Sequence, residues 1–105
     1  MTTDRPASDD LEAKLRAELT SAEASVAALE AEYADVLADP GVIQEDRDTT
    51  RRVLEEARGT RDAAQRAVDR FTNGTYGRCI TCGQPIPAER LEAIPDAETC
   101  VSCSR

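Results

Sequence analysis

The sequence predicts a mainly α fold: an antiparallel helical coiled-coil hairpin followed by a C-terminal module that contains four cysteines. Three observations lead to this prediction. Two long segments rich in helix-forming residues carry apolar side chains in alternating steps of three and four residues. The turn signal Asp39-Pro40-Gly41 separates these two segments. All four cysteines of the 105-residue chain lie in its last quarter, as two Cys-x-x-Cys pairs.

The first arm of the hairpin is predicted from Asp9 onward, and residues 1–8 are expected to form a disordered N-terminal tail. No proline or glycine occurs between Asp9 and Leu37, and Asp9 followed by Glu12 is typical of a helix-capping pair. Heptad-like apolar spacing predicts a continuous seam on this helix. The seam consists of Leu15, Leu19, Ala22, Val26, Leu29, Tyr33 and Val36.

The second arm is expected to begin at the turn, with Asp39 as its N-cap and Pro40 in its first helical position. Pairs across the two seams, such as Leu15 with Ala64, have residue numbers that add to 79 or 80. The arms are therefore predicted to fold onto each other about a point between Asp39 and Pro40. The second seam consists of Ile43, Arg47, Thr50, Leu54, Ala57, Arg61, Ala64, Val68 and Phe71.

A single long helix in a dimer is the alternative arrangement, but it would place proline and glycine inside a helix, where both are disfavoured. Charge also favours the hairpin. Residues 1–39 carry ten acidic and three basic side chains, whereas residues 40–72 carry seven of each. We therefore expect a monomer with a hairpin over residues 9–73 and a tip near residues 38–41.

The overall charge and the missing residue types exclude several function classes. The net charge of −8 disfavours a finger that binds nucleic acid, since a phosphate backbone attracts basic surfaces. No apolar run is long enough to span a membrane, and the acidic N-terminus does not resemble a signal peptide. We expect a cytoplasmic protein. Histidine is absent and no catalytic set is visible, so an enzyme is not expected.

The two cysteine pairs, separated by seventeen residues, predict one structural zinc ion in a module over residues 74–105. Four thiolates complete a tetrahedral shell and leave no open position for catalysis. A disulfide within each pair is the alternative, but the βαβ background of thioredoxin-like proteins is absent. A short helix is expected between Pro87 and Pro95. The ligands are Cys79, Cys82, Cys100 and Cys103, and the expected apolar core is Ile80, Ile86, Leu91, Ile94 and Val101.

The segment YGRCITCGQPIPAERLEAIPDAETCVSC, residues 76–103, resembles the four-cysteine zinc finger of the DksA/TraR family. The shared pattern is Y-G-x-C-x-x-C-G-x-x-I-P-x-x-R-L-x-A-x-P followed by C-x-x-C. The resemblance implies a transcription regulator that binds RNA polymerase core or holoenzyme rather than DNA. It also implies that a coiled-coil tip enters the secondary channel of the polymerase, so that acidic residues approach the active-site region.

The acidic residues of the predicted tip differ from the family motif D-x-x-D-x-A, because Asp35-x-x-x-Asp39 has one residue more between its aspartates. The candidate tip acids are Asp35, Asp39, Asp46 and Asp48, with Glu45 beside them. Helix capping and solubility are the alternative explanation of these acids. A zinc-stabilised adaptor that binds another partner, or another polymerase surface, is the alternative function.

Overall fold

The computed structural model describes residues 4–104 and contains three helices. Helix α1 spans Asp4–Ala38, helix α2 spans Gln44–Asn73, and the short helix α3 spans Ala88–Ala93. Helices α1 and α2 form an antiparallel hairpin, and the molecule measures 62 × 31 × 20 Å. Within the described residues, the only β pairing is an isolated bridge between Arg78 and Pro85. The mainly α hairpin with a four-cysteine module is thereby confirmed.

Helix α1 begins at Asp4, inside the segment 1–8 for which the sequence predicts a disordered tail, and therefore earlier than the predicted start at Asp9. Pro6 is compatible with this start because the first helical turn needs no backbone N–H donors. Residues 1–3 of the predicted tail lie outside the described residues. The predicted seam of α1 is confirmed, since all seven of its side chains are buried or half-buried.

Helix α2 begins later than predicted, and the prediction that Asp39 caps it is wrong. The N-cap is Ile43, which provides no side-chain hydrogen bond to the helix. The carboxylate of Asp39 instead accepts a hydrogen bond from the backbone N–H of Gly41, at 2.9 Å, and so stabilises the turn itself. The helix ends at Gly74, whose φ of 80° places it in the left-handed region that glycine adopts without strain.

The pairing of the two arms differs from the predicted pairing by one step of the seam. Leu15 is predicted to face Ala64, but in the structure it forms a buried cluster with Ala67 and Val68. The fold axis is accordingly close to residue 41, midway between the end of α1 and the start of α2. With this shift Ile43 lies beyond the last pair of the seam, and its side chain is 57% exposed.

The open end of the hairpin, opposite the turn, contains the principal apolar core. Leu11, Leu19, Phe71 and Tyr76 pack around the cluster of Leu15, Ala67 and Val68. The rings of Phe71 and Tyr76 meet edge to face, with centroids 6.4 Å apart. This end, which we call the base, joins directly to the four-cysteine module. None of the helices within residues 4–104 has the length and apolar character needed to cross a bilayer.

Candidate functional site

The four predicted ligands come together in the structure. The sulfur atoms of Cys79, Cys82, Cys100 and Cys103 all lie within 4.8 Å of one another. The sulfurs of Cys82 and Cys100 are 3.8 Å apart, which is about the edge of a tetrahedron with zinc–sulfur bonds of about 2.3 Å. The sulfur arrangement therefore fits a four-coordinate metal ion, and the four side chains supply every ligand.

Backbone hydrogen bonds shape the loop that presents the first cysteine pair. The N–H of Gly83 donates to the carbonyl of Cys79 at 2.9 Å, and the N–H of Thr81 donates to the sulfur of Cys79 at 3.4 Å. Gly83 has a φ of 77°, so the glycine that follows the pair is required by the turn. Cys103 likewise donates its N–H to the carbonyl of Cys100 at 3.1 Å. Each pair thus forms a compact loop with its sulfurs directed at one point.

The electrostatics of the sulfur cluster also fit a cation. The pKa of Cys79 is lowered to about 6, chiefly by a backbone hydrogen bond from Cys100 that stabilises the thiolate. The pKa of Cys103 is raised to about 12, chiefly by a side-chain hydrogen bond with Cys100 and then by those with Cys79 and Cys82. Four sulfurs this close cannot all ionise against one another. A divalent cation offsets the repulsion between the thiolates, so that the thiols lose their protons when the metal binds.

The module is attached to α2 by an ion-pair cluster that sequence reasoning missed. The carboxylate of Glu98 accepts hydrogen bonds from Arg66 and, at 3.0 Å, from Arg70. The side chain of Arg70 also donates to the carbonyl of Ala97 at 3.3 Å, and Arg70 is only 9% exposed. The hydrogen bond and charge of Arg66, aided by Arg70, hold the pKa of Glu98 below its ordinary value.

Glu98 connects three parts of the molecule. Its carboxylate binds α2, its backbone carbonyl accepts the N–H of Ile80 at 2.9 Å, and it lies two residues before the ligand Cys100. The carbonyl of the next residue, Thr99, accepts a hydrogen bond from Arg90 of α3 at 2.9 Å. Both cysteine loops and α2 are therefore held together through a single segment of the chain.

Tyr76 provides a second connection between the base and the module. Its hydroxyl donates to the carbonyl of Pro95 at 2.7 Å while its ring packs on the apolar core of the base. Burial raises the pKa of Tyr76, which keeps the hydroxyl protonated and able to donate. The sequence identifies this tyrosine only as part of the zinc-finger pattern, and the hydrogen bond explains its structural role.

The predicted apolar core of the module is partly wrong. Ile86 is buried and Leu91 is half-buried, as predicted, but Ile80, Ile94 and Val101 are exposed. The sulfur cluster and the ion pairs to α2 organise the module, so a continuous aliphatic core is unnecessary. The predicted short helix between Pro87 and Pro95 is confirmed as α3.

The four predicted tip acids lie around the turn, although they do not form one tight cluster. Asp35 lies in the last turn of α1 and Asp39 in the turn itself, and both are exposed. Asp46 is exposed in the first turn of α2. Asp48 is half-buried and accepts a hydrogen bond from Gln44 at 2.9 Å. Asp48 thus has a structural role in α2 and Asp39 has one in the turn, whereas the carboxylates of Asp35 and Asp46 face solvent.

The turn around which these acids lie has a defined backbone. The carbonyl of Asp39 accepts the N–H of Val42 at 3.2 Å and a side-chain hydrogen bond from Arg47 at 3.1 Å. The N–H of Asp39 donates to the carbonyl of Val36 at 3.3 Å. We refer to residues 35–48, which comprise the turn and the adjoining ends of α1 and α2, as the tip. These hydrogen bonds give the turn a defined backbone conformation at the end of the hairpin.

Comparison with known proteins supports both the module and the hairpin. Residues 74–105 match the family described as Prokaryotic dksA/traR C4-type zinc finger. The structure of transcription factor DksA2 from Pseudomonas aeruginosa superimposes with a TM-score of 0.80. That similarity covers 94% of this chain and 81% of the other, at 26% sequence identity.

Two curated relatives share shorter stretches of sequence. General stress protein 16O of Bacillus subtilis (strain 168) is 43% identical over 65 residues, which are 62% of this chain and 40% of that protein. An uncharacterized protein of Aquifex aeolicus (strain VF5) is 45% identical over 38 residues, which are 36% of this chain and 26% of that protein. The chain therefore matches less than half of the length of either curated relative.

Proposed function

Since this chain belongs to the DksA/TraR family and its C4 zinc finger is arranged to bind one zinc ion, we propose that it is a transcription regulator that binds RNA polymerase. In this proposal the coiled-coil tip enters the secondary channel, and the zinc finger remains at the channel entrance. The role is regulatory rather than catalytic. The observation that carries the proposal is the similarity to transcription factor DksA2 over 94% of the chain, hairpin included.

The shape of the molecule supports insertion of one end. The hairpin projects from the zinc finger as two packed helices, and the longest dimension is 62 Å. Stabilising contacts concentrate at the base, where the apolar core, the Arg–Glu cluster and the metal ligands lie. Within residues 4–104, the buried apolar cluster lies at the base and not at the far end. A narrow channel accommodates a projection of this kind.

The charge of the chain supports a protein partner rather than DNA. The first arm and the tip are acidic, and acidic surfaces repel a phosphate backbone. Asp35, Asp39 and Asp46 make no ion pair within 4.0 Å in the described part of the chain. We propose that these carboxylates act near the polymerase active site, in a monomeric cytoplasmic protein, with Asp48 contributing mainly to the helix.

The proposal is tested by separating binding from regulation. Asp35→Asn combined with Asp39→Asn removes two charges while keeping the size of both side chains. We expect this double variant to bind RNA polymerase core with little loss and to lose its effect on transcription in vitro. Glu30→Gln is the matched control, since Glu30 lies on the same helix and pairs with Arg58 away from the tip. Unchanged regulation by the double variant would contradict the assignment of the tip acids.

A second candidate is a zinc-stabilised adaptor that binds a different partner or another surface of the polymerase. The observation that favours it is the turn, where the Asp39 carboxylate is already occupied by the N–H of Gly41. Binding of the labelled protein to purified core polymerase, with a Gre-type cleavage factor as competitor, distinguishes the two. Displacement by the factor supports the channel, whereas binding that the factor does not displace supports the adaptor.

A further inference from the structure

Ile43 occupies a position where neither burial nor helix stability explains an isoleucine. It is the N-cap of α2, where serine, threonine, aspartate or asparagine stabilise a helix and isoleucine is among the least favourable residues. Its side chain is 57% exposed and lies beyond the last pair of the hairpin seam. A polar residue at this position would satisfy a free backbone N–H of α2 and would expose less apolar surface to water.

Leu37 is the corresponding exposed aliphatic side chain on the other arm. It lies one residue before the end of α1 and is 53% exposed. The aliphatic residues beside these two, Val36 and Val42, are half-buried. Leu37 and Ile43 therefore contribute little to the hairpin, and both present aliphatic surface at the same end of the molecule. We call them the tip aliphatic pair.

The backbone holds the tip aliphatic pair in place before any partner binds. Three hydrogen bonds converge on Asp39, from Gly41 to its carboxylate and from Val42 and Arg47 to its carbonyl. Ile43 itself is fixed because its carbonyl accepts the N–H groups of Asp46 and Arg47. A preorganised apolar contact loses less conformational entropy on binding than a mobile one.

The charges around the pair define the kind of surface that it fits. The exposed carboxylates of Asp35, Asp39, Glu45 and Asp46 lie at the same end of the hairpin as the two aliphatic side chains, and none of them has an ion-pair partner within residues 4–104. A second copy of this chain would bring equal charges together and is therefore disfavoured. The complementary surface is an apolar depression with a basic rim.

We propose that Leu37 and Ile43 dock in an apolar depression with a basic rim on RNA polymerase, and that this contact anchors the tip. The inference rests on the proposed function, because it takes RNA polymerase as the partner. It assigns affinity to the aliphatic pair, whereas the proposed function assigns the regulatory effect to the carboxylates. The two roles are separable by substitution.

The test uses the full, zinc-loaded chain and purified core polymerase. Ile43→Ser removes the aliphatic side chain and adds a favourable helix cap, so loss of binding cannot be attributed to loss of folding. Leu37→Gln keeps a good helix former in α1. Val53→Gln is the matched control, since Val53 is a 43%-exposed aliphatic residue of α2 away from the tip. Dissociation constants are measured by fluorescence anisotropy, and thermal melting is recorded for each variant.

We expect Ile43→Ser and Leu37→Gln each to weaken binding roughly tenfold to a hundredfold, the range for an aliphatic side chain buried on binding. Ile43→Ser is expected to melt at the same temperature as the parent or higher, and Val53→Gln to bind normally. Normal polymerase binding by both tip variants would overturn this inference and leave the proposed function intact. Absence of polymerase binding by the parent chain would overturn both. Self-association that Ile43→Ser abolishes would show that the pair serves a second copy instead.

Discussion

The two helices of the hairpin are held together by different contacts at its two ends. At the base, an apolar cluster around Leu15 and Val68 adjoins the Arg70–Glu98 ion pair and four sulfurs suited to one zinc ion. At the tip, the chain reverses over a few residues through hydrogen bonds to Asp39, and its charged and aliphatic side chains face solvent. Stabilising contacts therefore concentrate at the base, whereas the exposed side chains of the tip contribute little to stability. We expect substitutions at the two ends to have separable effects.

This separation has a physical basis. A two-helix hairpin has little interior, because each helix can bury only the stripe that faces its neighbour. Burial is therefore concentrated where a third element, the zinc finger, covers the helix pair. The end that the zinc finger does not cover buries only the side chains that stabilise the turn. Charged groups that would destabilise a core can therefore be placed there.

Loss of the metal is expected to cause the largest loss of stability, and unfolding should begin at the base. Cys100→Ser, or chelation of the parent protein, should lower stability by several kcal/mol, because zinc-finger folding is linked to metal-binding free energies of about 10–16 kcal/mol. Circular dichroism and zinc content measured in parallel provide the test. Ser102→Ala changes the same loop without removing a ligand and should leave both signals unchanged. Unaltered melting after demonstrated zinc loss would show that the base does not depend on the metal.

A smaller loss is expected when one of the ion pairs between the module and α2 is removed with the metal still bound. Arg70→Met should cost about 2–4 kcal/mol, because it leaves the partly buried Glu98 with fewer partners and exposes carbonyls that Arg70 satisfies. Urea unfolding of the zinc-loaded protein measures this cost. Arg58→Met removes an exposed ion pair with Glu30 and should cost about 0–1 kcal/mol. Equal costs for both variants would contradict the special role of Arg70.

The smallest predicted effect concerns the Tyr76 hydroxyl, and it depends on pH. Tyr76→Phe removes the hydrogen bond to Pro95 and should cost about 1 kcal/mol at neutral pH. Because burial raises the pKa of Tyr76 in the folded protein, this contribution is complete below the unfolded pKa of about 10. It is lost as the pH rises through the folded value.

Unfolding of the parent and Tyr76→Phe proteins across this pH range tests that expectation. The difference between them should be constant from neutral pH to about pH 10 and should shrink above it. Tyr33→Phe is the control, since no hydrogen bond of the Tyr33 hydroxyl occurs in the described part of the chain. A difference that grows at high pH would contradict the assigned direction of the pKa shift.

Local patterns predict much of this structure correctly. The spacing of Leu15, Leu19 and Ala22 identifies the buried face of α1 because helical periodicity is a property of neighbouring residues. The spacing of the cysteines identifies the metal site for a similar reason, since each pair forms its own loop. Pro87 and Pro95 likewise bracket α3 as the sequence predicts.

Contacts between distant segments account for the errors. The seam alternates steps of three and four residues, so pairing Leu15 with Ala64 or with Val68 brings seam residues together in either case, and the length of the turn decides between them. Arg70 is buried through its contacts with the module, which no pattern within α2 reveals. The zinc-finger pattern identifies the metal ligands, but not the ion pair by which Glu98 attaches them to the hairpin.

The repeating seam also restricts the hairpin to certain lengths. Residues added to α1 alone would leave its apolar side chains without counterparts on α2, so the arms can change length only together. The smallest addition that preserves the seam is one heptad in each arm, which would move the tip by about 10.5 Å. The distance from the zinc finger to the tip is therefore set in steps of that size.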